Sequence, residues 1–145
     1  MQKRIGIISL LAFLFVSLNA PHASVAEAYA DASPVGVWDL CGQDEADTGW
    51  IATLVLSLGE DDTLVGYVDW LGDNGHSGRE YVTGSFEART RSLDFEGTRV
   101  ENSDGVVRSE YHAVVSTDGG QLEQGTWVHK DVTIPGTWRA SRIRL

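Results

Sequence analysis

Short runs of alternating apolar and polar residues, separated by turns rich in Gly, Asp and Asn, follow one another from Pro34 onward. No stretch in this part of the sequence shows the 3.6-residue apolar spacing of an amphipathic helix. Runs of this kind are typical of half-buried β-strands. The pattern predicts eight strands: Gly36–Cys41, Trp50–Leu58, Thr63–Trp70, Arg79–Phe86, Ser92–Thr98, Val106–Ser116, Gln121–His129 and Thr137–Ile143.

Two of the predicted strands indicate which residues are buried. The Ser92–Thr98 strand has Leu93, Phe95 and Gly97 on one face and only polar residues on the other, so a single face is expected in the core. The Trp50–Leu58 strand is apolar on both faces, and we expect it to be the most buried of the eight.

The connections between the predicted strands are short, and several have the length and composition of hairpin turns: Gly59–Asp62, Glu87–Arg91, Glu101–Gly105 and Asp118-Gly119. Hairpins make consecutive strands antiparallel, and closing such a sheet removes its exposed edges. We therefore predict an all-β, up-and-down meander that closes into a small barrel, with residues 31–145 as one domain. A two-layer sandwich is the alternative.

The Asp118-Gly119 turn allows a test of register. A two-residue turn pairs Val115 with Leu122 and Tyr111 with Thr126, which leaves one face mainly apolar. The other face then collects polar residues together with one large aromatic: Glu110, His112, Trp127 and His129. This register predicts that Trp127 and both histidines lie on the polar face.

The first thirty residues differ from the rest of the chain. A basic start containing Lys3 and Arg4 precedes a 14-residue apolar run, Ile5–Leu18, which is followed by small residues. As a helix this run spans about 21 Å, less than the ~30 Å hydrocarbon core of a membrane. The pattern predicts a secretory signal peptide with cleavage after Ala23, Ala28 or Ala30. We expect an exported protein, periplasmic, extracellular or envelope-associated, with no stable membrane insertion after cleavage.

Charge narrows the range of partners. The full chain has a net charge of −10, and removing residues 1–30 leaves 20 acidic and 9 basic residues, or −11. Nucleic-acid-binding proteins carry basic patches, so we expect no nucleic-acid partner. Cys41 is the single cysteine, which excludes a disulfide scaffold. Burial is the expected fate of this free thiol, and an intermolecular disulfide is the alternative.

Glycine stands beside an aromatic residue at five places, including Gly36-Val37-Trp38 and Gly125-Thr126-Trp127. Glycines inside strands mark bends that an aromatic ring covers. With Leu64-Val65-Gly66-Tyr67, the Gly-x-Trp that opens the first strand resembles the calycin group of lipocalins and avidin-like proteins, over about residues 34 to 145. The resemblance implies a small closed barrel that binds a ligand. The chain lacks the paired cysteines of many secreted lipocalins.

The leading hypothesis for function is a non-enzymatic barrel that binds a small apolar or amphipathic ligand, or a protein partner. The candidate contact residues are aromatic: Trp38, Trp70, Tyr111, Trp127 and Trp138. Such a barrel predicts a closed cavity of several hundred Å³, the usual size of a small-molecule site. The sequence leaves the ligand and the oligomeric state open.

Two other functions remain as alternatives. A small hydrolase or carbohydrate-active enzyme would use carboxylates and histidines of the polar face, with Glu110, His112 and His129 as candidates and tryptophans stacking on a sugar. A structural envelope-associated protein would bind no ligand. The carboxylates of Asp44–Asp47 and Glu60–Asp62 are interpreted as turn residues, since they lack the spacing of a calcium loop. No metal or cofactor is predicted.

Overall fold

The fold was analysed in a computed structural model that describes residues 32–131 and 134–144. Alternating side chains form eight strands: β1 Gly36–Asp44, β2 Gly49–Leu58, β3 Leu64–Gly72, β4 Ser77–Glu87, β5 Ser92–Asp104, β6 Ser109–Val115, β7 Gln121–His129 and β8 Pro135–Arg142. A 3-10 turn, Glu60–Asp62, joins β2 to β3. The eight predicted strands are therefore confirmed. The predicted signal peptide lies outside the described residues.

The eight strands form a closed antiparallel barrel in which each strand pairs with the next along the chain. Closure comes from pairing of β8 with β1, for example Leu40 opposite Ala140. The predicted up-and-down barrel is confirmed, and the two-layer sandwich is excluded. Within the described residues, no helix is long and apolar enough to cross a membrane.

Side chains that point into the barrel form the core, as period-2 alternation requires. On β5, Leu93, Phe95 and Gly97 are buried while their neighbours face solvent, as predicted. The prediction for β2 was wrong, because only one of its faces is buried. Ile51 and Leu58 on β2 are more than half exposed, since a single-layer barrel has no second sheet to cover its outer surface.

Several strands extend beyond their predicted ends. β1 continues to Asp44, whose carboxylate accepts the backbone N–H groups of Ala46 and Thr48 and so holds the following turn. β5 continues to Asp104, so the predicted hairpin at Glu101–Gly105 was wrong. The turn to β6 lies instead at residues 105–108, where the predicted sixth strand began.

The β6–β7 register was correct at the turn and wrong beyond it. Val115 pairs with Leu122 as predicted, but a β-bulge then shifts the pairing by one residue. Gln124, in the left-handed region with φ of 54°, lies at this irregularity. Tyr111 consequently faces Trp127 instead of Thr126. A one-residue shift moves side chains to the opposite face. Trp127 therefore points into the barrel, contrary to the prediction.

One end of the barrel is closed by Trp38 and Arg142. The Trp38 indole is fully buried and donates its N–H to the Pro34 carbonyl oxygen at 2.9 Å. The Arg142 guanidinium lies 4.2 Å from the centre of this ring. It also donates to the carbonyl oxygens of Val35 at 2.6 Å and Gly119 at 2.7 Å. These contacts join the first strand, the last strand and the β6–β7 turn.

Aromatic rings cover glycines of other strands, as the sequence predicted. A Cβ atom on Gly42 or Gly136 would overlap the Trp127 ring, and one on Gly125 would overlap Trp138. The absence of side chains at these glycines lets the rings lie directly on the barrel wall.

Candidate functional site

A small cavity lies at the end of the barrel opposite Trp38 and Arg142. Its volume is about 20 Å³, and it sits in a depression of about 280 Å³ that includes open solvent. The lining residues come from four strands and the β5–β6 turn: Trp50, Trp70, Gly105, Val106, Val107, Ser109, Tyr111, Trp127 and His129. Four more open depressions, with volumes of about 340–380 Å³ on the measure that gives 20 Å³ here, are lined by both polar and apolar residues of the strands and turns.

The expected closed cavity of several hundred Å³ is not found in the described part of the barrel. A single water needs roughly 10–15 Å³ of such space. The cavity therefore holds little more than one water-sized group. The interior is filled because large aromatic rings from facing strands occupy it.

Three tryptophans form perpendicular walls around the cavity. Trp70, on β3, stands between Trp50 and Trp127, with ring centres 5.9 Å and 5.6 Å away and interplanar angles of 85° and 76°. Tyr111, on β6, is nearly parallel to Trp70 at 6.2 Å. The contacts of Trp70 with Trp50 and Trp127 are edge-to-face, which is one of the preferred arrangements of aromatic pairs.

Glu80 lies on the inward face of β4 below these rings and is fully buried. Its carboxylate accepts hydrogen bonds from the Tyr111 hydroxyl at 2.5 Å, the Ser109 backbone N–H at 2.8 Å and the Trp70 indole at 3.3 Å. Burial raises the pKa of Glu80 from 4.5 to about 7, while the hydrogen bonds and Lys130 act in the opposite direction. Burial, followed by the Glu80 charge, raises the pKa of Tyr111 well above its usual value.

Asp44 is a second buried carboxylate at the same end of the barrel. Besides holding its own turn, it accepts a hydrogen bond from the Trp50 indole at 3.1 Å. Asp44 is thus buried, whereas the sequence analysis interpreted it as a turn residue in solvent. The described residues include no group of three or more metal-ligating side chains.

Ser109 and His129 form a polar pair on the cavity wall. The Ser109 hydroxyl oxygen lies 2.7 Å from His129 Nδ1. Burial lowers the pKa of His129, and the nearby Asp44 charge only partly offsets this effect. The imidazole is therefore mainly neutral at pH 7. His129 lies on the inner side because the β7 bulge places it opposite Ser109.

The Trp127 indole N–H is a buried donor without a hydrogen-bond partner among the described residues. The residue as a whole is 3% exposed. A buried donor left without a partner costs about 1–3 kcal/mol. The indole edge that carries Nε1 lies against the barrel wall, where a Cβ atom on Gly136 would be 2.5 Å from Nε1, so an acceptor atom reaches this donor only if the ring shifts.

The structure separates the residues that the sequence singled out. Trp70, Tyr111, Trp127 and His129 line the cavity. Trp138 lies behind Tyr111, with ring centres 6.4 Å apart, and donates to the Thr126 carbonyl oxygen. Trp38 lies at the closed end.

The remaining candidates lie on the outside of the barrel. Glu110 and His112 are exposed, and His112 Nδ1 lies 2.8 Å from Asp94. Cys41 is exposed too, so its predicted burial was wrong. Strand alternation explains this, because the preceding Leu40 takes the inward position.

Sequence reasoning missed Glu80 and Ser109 as site residues. A signal for Glu80 was present, because within Arg79–Phe86 it shares a face with Val82 and Phe86. A charged residue on the apolar face of a strand is buried with partners or functional. Ser109 offered no comparable signal.

No protein family model and no curated protein matches the chain. Its barrel is similar to solved structures of designed barrels. One is the redesigned barrel mFAP1 bound to DFHBI, with 15% identity, a TM-score of 0.62, and coverage of 79% of this chain and 98% of that one. EF1p2_mFAP2b bound to DFHBI has 14% identity, a TM-score of 0.62 and coverage of 83% and 100%.

A fluorescence-activating β-barrel designed de novo is a further similar structure, with 13% identity, a TM-score of 0.59 and coverage of 78% and 98%. At these identities the likeness concerns the fold. The chain forms a closed, eight-stranded antiparallel barrel whose fold is similar to that of these proteins.

Proposed function

We propose that this protein binds a small amphipathic ligand at the aromatic end of its barrel. The observation that carries the proposal is that Trp127, a residue that lines the cavity, has a buried N–H with no partner among the described residues. Binding sites commonly combine apolar walls with a few polar groups that fix orientation. Trp50, Trp70 and Tyr111 supply the walls here.

The small enclosed volume sets the mode of binding. A single polar group the size of one water enters the space between the rings, and the rest of the ligand occupies the open depression of about 280 Å³. The DFHBI complexes of the similar mFAP1 and EF1p2_mFAP2b barrels support the capacity of this architecture to hold a small molecule.

Tryptophan fluorescence tests the proposal, because three of the five tryptophans line the cavity. A panel of small amphiphiles including DFHBI should contain compounds that quench this fluorescence with saturation. Trp127→Phe keeps an aromatic ring but removes the N–H. It should lower the affinity for compounds that bear a hydrogen-bond acceptor by about three- to tenfold. Trp138→Phe is the control, because its N–H is already bonded to Thr126. Equal loss in both variants would contradict the role of the Trp127 donor.

We further propose that the protein is exported and that residues 1–30 contain a cleaved signal peptide, as the basic start and the short apolar run indicate. N-terminal sequencing of the protein from its source should give a first residue directly after Ala23, Ala28 or Ala30. An intact Met1 on the isolated protein would refute cleavage.

A second candidate function, ester hydrolysis, is favoured by one observation. Ser109 Oγ lies within hydrogen-bonding distance of a largely neutral His129, the arrangement in which a serine nucleophile passes its proton to a base. A fluorophosphonate probe should label Ser109 in the wild-type protein but not after Ser109→Ala. Absence of labelling in a correctly folded wild type would reject this candidate.

A further inference from the structure

The two buried carboxylates at the cavity end have no positively charged partner in the described part of the chain. The five ion pairs there join other carboxylates to Arg, Lys or His side chains: Asp104, Asp69, Glu101, Asp94 and Glu96. Lys130, which acts on Glu80 at a distance, is itself paired with Glu96. Buried charges are normally paired, so Asp44 and Glu80 leave negative charge without a counter-ion beside the cavity.

Both carboxylates are bonded to the walls of the cavity. Asp44 accepts the indole N–H of Trp50, and Glu80 accepts that of Trp70. A negative acceptor at the edge of an indole increases the electron density of its ring, and a ring face rich in electrons attracts cations. The neutral state of His129 leaves this negative potential uncancelled.

Aromatic rings elsewhere in the protein already carry a cation. Guanidinium groups lie over Tyr67 at 4.1 Å, Tyr81 at 4.0 Å and Trp38 at 4.2 Å. None of the four cavity rings, Trp50, Trp70, Tyr111 and Trp127, has such a partner among the described residues. Among the described residues, no arginine therefore occupies the aromatic cluster that lines the cavity.

We propose that the depression of about 280 Å³ at this end of the barrel binds a small organic cation of the methylated ammonium class, with its head group against the tryptophans that line it and balanced by Glu80 and Asp44. The inference rests on the proposed ligand-binding function and names the ligand class. Methyl groups suit apolar walls, and aromatic cages are the known means of recognising quaternary ammonium ions. After a shift of the Trp127 ring, an acceptor oxygen near the ammonium would receive its N–H.

The test compares choline with 3,3-dimethylbutan-1-ol, which has the same shape and hydroxyl group but no charge. Affinities are measured by calorimetry and tryptophan fluorescence at pH 8, where Glu80 is mainly ionised. Choline should bind at least about tenfold more tightly than the uncharged alcohol.

Variants that remove one negative charge test whether Glu80 and Asp44 account for the affinity for choline. Glu80→Gln and Asp44→Asn should each weaken choline by about tenfold or more and leave the uncharged alcohol unaffected. Asp94→Asn is the matched control, because Asp94 is an exposed carboxylate that pairs with His112. Trp50→Leu is a further variant at a partly exposed wall, and it should weaken choline even if the buried variants fold poorly.

The possible outcomes separate this inference from the proposed function. Equal affinities for choline and the alcohol overturn the cation site but support an amphiphile site. If choline does not bind while DFHBI binds with saturation, the cation site is likewise overturned and the amphiphile site is supported. Failure of all probes overturns both proposals. Loss of choline affinity in Asp94→Asn as large as in Glu80→Gln would also overturn the cation site.

Discussion

At the residue scale, the unusual feature is an acidic side chain at the centre of an aromatic core. Glu80 is fully buried, yet its three hydrogen-bonding partners are all donors, an arrangement that suits the ionised carboxylate. Desolvation opposes ionisation and raises its pKa to about 7. Glu80 therefore changes charge near neutral pH, in contact with Tyr111 and under the influence of Lys130.

This raised pKa predicts how stability depends on pH. Between pH 4.5 and 7 the folded carboxyl holds a proton that the unfolded one has lost, so the contribution of Glu80 to stability is highest below this window and falls by about 3 kcal/mol as pH rises through it. The Glu80→Gln variant has no titrating group at this position and lacks this pH-dependent contribution. Urea unfolding at several pH values should show the stability of wild type minus variant decreasing from pH 5 to pH 8. The contribution of His129 titration to stability is the same in both proteins and cancels in this difference. Stabilities of wild type and variant that change in parallel with pH would contradict the prediction.

Cys41 gives a second prediction at this scale. Its thiol is exposed on the outer side of β1, so it should react completely with Ellman's reagent in the native protein, without denaturant. Cys41→Ser should change the free energy of unfolding by less than about 0.5 kcal/mol, as is usual for exposed positions. Reaction only after unfolding would show that the thiol is covered.

At the scale of elements, strand positions could be predicted because every strand of the barrel has one buried face. β7 was predicted with its observed bounds, and β5 with its observed buried face. The ends of β1 and β5 could not be predicted, because polar residues there are held by cross-strand contacts such as that of Tyr81 with Glu101.

The candidate site was harder to predict than the fold for the same reason. Trp70 and Tyr111 follow from simple alternation, whereas Trp127 and His129 depend on one bulge in β7. Nothing local to Gln124 marks it as the extra residue. The bulge is favoured by the tertiary structure, in which the Trp127 ring fits over Gly42 and Gly136.

The bulge itself can be tested. Gln124 has a positive φ of 54°, a conformation that costs an ordinary residue about 1–2 kcal/mol. Gln124→Gly should therefore stabilise the protein by up to about 1 kcal/mol, or leave it unchanged, despite the flexibility of glycine in the unfolded chain. Gln121→Gly, on the same strand without positive φ, should destabilise it. Equal destabilisation by both substitutions would contradict the observed bulge.

At the scale of the whole molecule, the two ends of the barrel have different roles. The Trp38–Arg142 end joins the first and last strands by direct hydrogen bonds and a cation–π contact. The opposite end keeps an unpartnered donor and two buried carboxylates without a counter-ion among the described residues. The contacts that join the first and last strands thus lie at one end, and the unpaired polar groups of the described residues lie at the other.

This division predicts that closure and binding can be separated by substitution. Arg142→Ala removes a cation–π contact and hydrogen bonds to the carbonyl oxygens of Val35 and Gly119, and should lower the free energy of unfolding by about 2–4 kcal/mol. Arg139→Ala, at an exposed position of the same strand, should lower it by less than about 0.5 kcal/mol.

The affinity of the folded Arg142→Ala protein for a cavity ligand provides the second readout. It should stay within about twofold of wild type, because Arg142 lies at the far end of the barrel from Trp127 and contacts no residue of the cavity wall. Chemical denaturation gives the stability, and titration well below the unfolding midpoint gives the affinity. A large loss of affinity in the folded variant would show that the two ends are coupled through the barrel, and the separation of roles would then be wrong.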